Sequence, residues 1–134
     1  MKEIIEIIKR KNSFQDVDII EFAPSDAWAE TIARSLKDKM KTTQLRKVFA
    51  SIKQMELKAK GRKDEDIFND SKIYMMLPHL AYAKARKFIN DDFYSLMKVI
   101  IGNGTSGKIK HVGDFKRFVE FMTAIVAYHK QPNK

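Results

Sequence analysis

Apolar residues that recur every three or four positions are the feature that most constrains how this 134-residue chain can fold. A row such as Leu45, Val48, Phe49 and Ile52 lies on one side of an α-helix, whereas a half-buried β-strand would need strict alternation. Apart from Pro78, the prolines and most glycines fall between such rows. Because 44% of the residues are apolar, the chain can fill one core, and the sequence predicts an all-α, compact bundle of five to six helices in a single domain covering residues 1–134.

The rows also predict where the helices begin and end. We expect a short N-terminal helix within residues 1–11, an extended segment over residues 12–23 and a core bundle over residues 24–129. Ser25 is a candidate N-cap for the first helix of the bundle, and Thr42-Thr43 is the next capping signal. The later predicted helices run from Ile73 to Phe88, from Phe93 to Ile100 and from Phe115 to Val126.

Pro78 falls inside the predicted helix that begins at Ile73. A proline within a helix lacks the amide that would bond to the carbonyl four residues earlier. We therefore expect this helix to bend between Tyr74 and Pro78, or to start again there.

The chain contains no cysteine, which removes disulfides, thiol nucleophiles and thiolate metal sites. The N-terminal isoleucine cluster, residues 4–8, is too short and too charged to span a bilayer. The sequence therefore predicts a cytoplasmic protein without a membrane partner.

Positive charge is concentrated in residues 37–63, here called the basic belt. It holds ten lysines and arginines against Asp38 and Glu56, and so carries +8 of the net charge of +9. The helix predicted after Thr42-Thr43 has a buried row that begins at Leu45. Its Arg46, Lys47 and Lys53 side chains should therefore point outward. The belt members are Lys37, Lys39, Lys41, Arg46, Lys47, Lys53, Lys58, Lys60, Arg62 and Lys63.

Lys84, Arg86 and Lys87 form a second basic cluster at the end of the predicted fourth helix, where cations suit the helix dipole. Such runs are often a solvated face, but a surplus of this size repels itself and favours a polyanionic partner. Phosphate contacts carry no base identity, and no RNP-like sheet motif, GXXG clamp or zinc-finger spacing is present. Backbone tracking of a nucleic acid is therefore expected over base reading.

Residues 102–108 read GNGTSGK, which matches the spacing of a phosphate-binding P-loop. The motif needs a hydroxyl side chain after the lysine, but position 109 is Ile, and a helical row precedes the loop instead of a strand. We interpret the stretch as a turn between helices, with Gly102 as a left-handed C-cap. RNA contact through Lys108, Lys110 and His111 remains an alternative.

No catalytic, cofactor or metal site is predicted. The three histidines stand apart without HExxH spacing, and Asp64 to Asp70 lacks the EF-hand pattern. Three tyrosines, Tyr74, Tyr82 and Tyr94, are candidates for base stacking, although aromatic residues on helices more often belong to a core or its rim.

Two spaced motifs stand out along the chain. The first is Lys41-Thr42-Thr43-Gln44-Leu45-Arg46-Lys47-Val48-Phe49, in which a threonine cap leads into a helix starting Leu-Arg-Lys with an aromatic. The second is Met76-Leu77-Pro78-His79-Leu80-Ala81-Tyr82-Ala83-Lys84-Ala85-Arg86, followed by Lys87. Together they resemble the small-subunit family of type III-A CRISPR (Csm) effector complexes. With the closing helix from Phe115 to Tyr128, the resemblance covers roughly residues 25–128.

The resemblance implies a non-catalytic structural subunit that holds crRNA and target RNA through phosphate contacts for antiviral defence. It also implies backbone and large subunits as partners, and self-association in several copies. By motif position, the expected RNA contacts are Lys41, Arg46, Lys47, Lys53, Lys84, Arg86 and Lys87. A different hypothesis is an oligomeric helical scaffold or adaptor, in which the N-terminal helix packs on a neighbouring copy and the basic charge only solubilises the protein.

Overall fold

Seven α-helices and one 3₁₀ turn form the secondary structure of residues 1–130, the part of the chain that the computed structural model describes. The elements are α1 (Lys2–Arg10), the 3₁₀ turn (Phe14–Asp16), α2 (Ile19–Phe22), α3 (Trp28–Leu36), α4 (Thr42–Ala59), α5 (Lys72–Ala85), α6 (Asp91–Ile101) and α7 (Val112–Lys130). Within residues 1–130 the only β-pairing is an isolated bridge between Ile67 and His111. The all-α, single-domain prediction is confirmed, although the helices outnumber the predicted five or six. The polar ending Gln131-Pro132-Asn133-Lys134 predicts that the last four or five residues fray, and residues 131–134 lie outside the described range.

The closing helix α7 lies at the centre of the fold. It packs against α2, α3, α4 and the 3₁₀ turn, and its buried side chains include Phe115, Phe118 and Phe121. Phe14 and Phe22 meet Phe121 edge-to-face, with ring centroids 5.3 and 5.4 Å apart. Edge-to-face aromatic pairs add about 0.5–1.5 kcal/mol beyond the burial of apolar area, so this cluster anchors the N-terminal segment on α7.

The segment 12–23 contains the 3₁₀ turn and α2, so the prediction of an extended loop is wrong. Val17 and Phe22 are buried, but Ile19 and Ile20 are exposed. The backbone amide of Asp18 donates to the Glu21 carboxylate at 2.9 Å. This contact is half of a capping box, so the spacing of Asp18 and Glu21 was an available signal for a helix start.

The capping predictions for α3 and α4 are also wrong in detail. α3 begins at Trp28 after the N-cap Ala27, because Asp26 adopts a positive φ of 65° and its amide bonds to the carboxylate of Glu30 at 2.6 Å. α4 begins at Thr42 with Lys41 at the N-cap position. A turn separates α3 from α4, so the two are distinct helices rather than one bent helix.

Pro78 lies within α5, which is one continuous helix from Lys72 to Ala85. The helix does not start again at the proline, and it ends before Phe88, its predicted last residue. Tyr74, whose carbonyl loses its partner at Pro78, is exposed, as is Pro78 itself. Water can therefore bond to that carbonyl, which lowers the cost of the proline.

The N-terminal helix packs within its own chain. α1 contacts α6, and Ile4 and Ile8 are buried in the core. The Lys108 ammonium donates to the carbonyl oxygens of Lys9 and Lys11 at 2.8 and 2.6 Å. A cation at this position binds the unpaired carbonyls that end a helix, so Lys108 holds the end of α1 against the loop before α7.

Candidate nucleic-acid interface

Helix α4, which lies within the basic belt, has a buried side and an exposed side. Leu45 and Ile52 are buried, and Val48 and Phe49 are half-buried. The outer side presents Arg46, Lys47 and Lys53, all of which are exposed, as the helical phase predicts. Among residues 1–130, Arg46 and Lys47 have no carboxylate within ion-pair distance. Their charge is therefore available to an external anion.

The second basic cluster surrounds the C-terminal end of α5. The amide of Lys87 bonds to the carbonyl of Lys84 at 2.9 Å, and the amide of Phe88 bonds to that of Ala83 at 2.9 Å. This pair of bonds is a Schellman motif, whose left-handed position glycine normally fills. Here Lys87 fills it, with φ 63°. A non-glycine residue in this conformation costs about 1–2 kcal/mol, so the chain places a charged side chain here against the local backbone preference.

The ring of Phe88 brings the two basic clusters together. The Lys41 ammonium lies 5.4 Å from the ring centroid, and the Arg86 guanidinium lies 5.1 Å from it. Lys41 precedes α4 and Arg86 follows α5, so residues that are 45 positions apart form one surface. Sequence reasoning missed Phe88, because a link between two helix ends depends on tertiary packing rather than on spacing along the chain.

Aromatic rings also contact three of the cations that were predicted to bind RNA. Lys53 lies 5.8 Å from the Phe49 ring, Lys84 lies 4.9 Å from that of Tyr94, and Arg86 lies 5.6 Å from that of Tyr82. Arg86 also donates to the Tyr82 hydroxyl at 3.0 Å. Each cation–aromatic contact contributes about 0.5–1 kcal/mol at an exposed site, so these cations are partly ordered before any ligand arrives.

Two of the predicted contacts have acidic neighbours. Lys53 pairs with Glu56 at 2.6 Å, and Lys84 stands 4.0 Å from Asp91. Both pairs are largely exposed, and such pairs contribute little because water and salt screen them. A phosphate can therefore compete with either carboxylate at low cost.

The ends of the belt differ from its centre. Lys37 donates to the His129 carbonyl at 2.5 Å, and Arg62 donates to the Asn69 side chain at 3.0 Å. Both side chains are therefore hydrogen-bonded within the protein. Lys58 lies beside Lys72 of α5 and lowers the pKa of Lys72, first by donating a hydrogen bond to the neutral Lys72 amine and then by its positive charge.

The loop that matches the P-loop spacing is closed on itself. The side-chain oxygen of Asn103 accepts hydrogen bonds from the amides and hydroxyls of Thr105 and Ser106, at 2.9 to 3.2 Å. In a P-loop such amides would face a phosphate. Lys108 binds the end of α1 instead. Gly102 has the predicted positive φ of 65°, but its ψ of −156° is outside the left-handed helical region.

The histidines, carboxylates and tyrosines considered as metal ligands or stacking residues do not come together in one site. Within residues 1–130 no group of three or more His, Asp or Glu side chains is placed to hold a metal ion. His79 and His111 are exposed, whereas His129 is buried. Burial, followed by the charge of Lys37, lowers the pKa of His129. Of the predicted stacking tyrosines, Tyr74 and Tyr82 are exposed at 40% and 64%.

The comparisons with known proteins give one family. The family model described as Csm2 Type III-A matches residues 21–134. No curated protein matches, and no solved structure matches. Within the described residues, no helix combines the length and apolar character needed to cross a membrane.

Proposed function

This chain belongs to the Csm2 Type III-A family, and we propose that it holds crRNA and target RNA through phosphate contacts on the face that α4 and α5 share. Membership makes it a small structural subunit of the multi-subunit type III-A CRISPR complex. The proposed contacts are Lys41, Arg46, Lys47, Lys53, Lys84, Arg86 and Lys87. In this role the protein serves cytoplasmic antiviral defence and performs no chemistry itself.

The observation that carries this proposal is the shared contact of Lys41 and Arg86 with Phe88. It joins the basic belt and the cluster at the end of α5 into one surface. Non-specific RNA binding depends on several phosphate contacts and on the counterions that they release. A continuous cationic face without a recognition module supports sequence-independent backbone binding.

Filter binding with a labelled single-stranded RNA across a salt series tests the proposal. The triple variant Arg46→Ala, Lys53→Ala, Arg86→Ala should bind more weakly, and three lost contacts should reduce the slope of log K against log salt by about 2. The matched control Lys2→Ala, Arg10→Ala, Lys98→Ala removes the same charge from exposed positions on α1 and α6. RNA affinity that stays unchanged in the triple variant, or falls equally in both, contradicts the proposal.

Self-association in several copies is a second part of the proposed role, and α2 favours it. Ile19 and Ile20 are exposed at 45% and 77%, whereas Ile4 and Ile8 of the N-terminal helix, which the scaffold hypothesis assigned to a neighbouring copy, are buried within their own chain. Two adjacent exposed isoleucines are an apolar surface that a second copy could cover. Sedimentation compares the parent protein with the double variant Ile19→Ser, Ile20→Ser and with the control Leu57→Ser. If the parent protein and both variants are all monomeric, this part of the proposal is wrong.

A further inference from the structure

A groove runs between α4 and α5 beside the proposed RNA face. Two cavities, of about 190 and 170 Å³, follow one another along it and share Ser51, Met76 and His79 as lining residues. From Lys47 to Lys58 the groove follows about 17 Å of α4. It is therefore long enough to receive about three turns of a second helix.

Within residues 1–130, the floor of this groove is largely apolar and contains no Phe, Tyr or Trp ring, and the imidazole of His79 is the one aromatic ring among its lining residues. Val48, Leu80 and Ile89 line the first cavity, and Met55 and Met75 line the second. Sites for unpaired bases typically offer aromatic rings for stacking, and in this structure the rings of Phe49, Tyr82 and Phe88 already lie against cations. Flexible methionine side chains, by contrast, adapt to the apolar face of an incoming peptide helix.

The rim of the groove is cationic on both walls. Lys47 and Lys58 stand on α4 and Lys72 on α5, and among the described residues no aspartate or glutamate lines either cavity. Lys58 and Lys72 both line the second cavity, and Lys58 lowers the pKa of Lys72 by hydrogen bonding and then by its charge. A carboxylate placed between them would relieve that repulsion.

We propose that the groove between α4 and α5 binds an acidic, amphipathic helical segment of another protein subunit of the complex. The apolar residues of that segment, spaced three or four positions apart, enter the two cavities, and its aspartates or glutamates meet Lys58 and Lys72. The chain is a component of a multi-subunit complex, so protein partners are present at high local concentration. The proposal does not depend on RNA binding.

Photocrosslinking within the assembled complex tests this assignment. A benzoylphenylalanine at position 51 stands where the two cavities meet, and one at position 95, an exposed serine on α6, is the matched control. Position 51 should crosslink to a protein segment that mass spectrometry identifies as acidic, with apolar residues at helical spacing. Position 95 should not yield that product.

Charge reversal on the rim provides the second measurement. Lys58→Glu with Lys72→Glu should reduce the yield of the position-51 crosslink by roughly five-fold or more, while Lys2→Glu with Lys98→Glu leaves it unchanged. Crosslinking of position 51 to RNA, to a second copy of this chain or to nothing overturns the proposal. RNA affinity measured on the same variants shows separately whether the proposed function stands.

Discussion

The Lys41 ammonium and the Arg86 guanidinium lie over the ring of Phe88, 5.4 and 5.1 Å from its centroid. Because Phe88 is half-buried, the ring is held in place by the fold and restricts where both cations can move. A restricted cation loses less side-chain freedom when it meets a phosphate. On the proposed RNA face, this geometry should strengthen phosphate binding beyond what the number of charges provides.

Phe88→Leu should weaken RNA binding although it removes no charge. Leucine keeps the apolar contact with the core but offers no ring, so both cations gain freedom that RNA must then restrict. The expected loss of affinity is about 2- to 5-fold, from a cation–aromatic contact of about 0.5–1 kcal/mol. Because the phosphate contacts remain, the salt slope should not change. A titration across salt measures both quantities, and a flatter slope would contradict this account.

Lys87→Gly should stabilise the fold while weakening RNA binding. Glycine adopts the left-handed position at no steric cost, but it also loosens the unfolded chain, which leaves an expected gain of about 0.5–1 kcal/mol in the free energy of unfolding. Lys87→Ala removes the same charge without relieving the strain. Urea denaturation should therefore separate the two variants, whereas RNA titration should show the same loss for both. Equal stability of Gly and Ala variants would argue against strain at this position.

The sequence predicts those features that depend on the phase of a single helix. The outward direction of Arg46, Lys47 and Lys53 follows once Leu45 and Ile52 are placed inside, and the structure agrees. Features that need contact between distant elements were not predictable in this way.

Phe88 is the last residue of the helix predicted from Ile73, but its contact with Lys41 depends on how the end of α5 meets the start of α4. The helix ends show the same limit. The left-handed Lys87 occupies a place where glycine is the usual signal, so nothing in the sequence marked the motif. α2 is only four residues long, which is too short for a repeating apolar pattern, and only the spacing of Asp18 and Glu21 indicated it.

Asp114→Ala should destabilise the protein strongly. The buried carboxylate accepts hydrogen bonds from the backbone amides of Gln15, Lys110 and His111 at 2.9, 3.0 and 2.9 Å. It therefore joins the 3₁₀ turn to the start of α7. Removing it leaves amides without partners, and the expected loss is about 3 kcal/mol in the free energy of unfolding.

Asp114→Asn is the matched variant for this measurement. Asparagine retains one acceptor oxygen, so its loss of stability should be smaller than that of alanine. Urea denaturation monitored by helical circular dichroism gives both values. Equal stability of the parent protein and Asp114→Ala would show that the three bonds do not stabilise the fold.

His129 should make the stability of the protein depend on pH below neutrality. Its pKa is lowered from 6.5 by burial and then by Lys37, so the unfolded chain takes up this proton before the folded chain does. The contribution of neutral His129 to the free energy of unfolding is therefore full above pH 6.5. It falls as the pH drops from 6.5 toward the lower pKa of the folded protein, and it falls no further below that pKa.

His129→Leu removes the titrating group and should flatten this part of the stability profile, while the exposed His79→Leu should leave it unchanged. Thermal denaturation at closely spaced pH values measures the difference between the two variants. If the parent protein and His129→Leu lose stability in parallel as the pH falls below 6.5, the proton is taken up elsewhere, and His129 is not the source of the dependence.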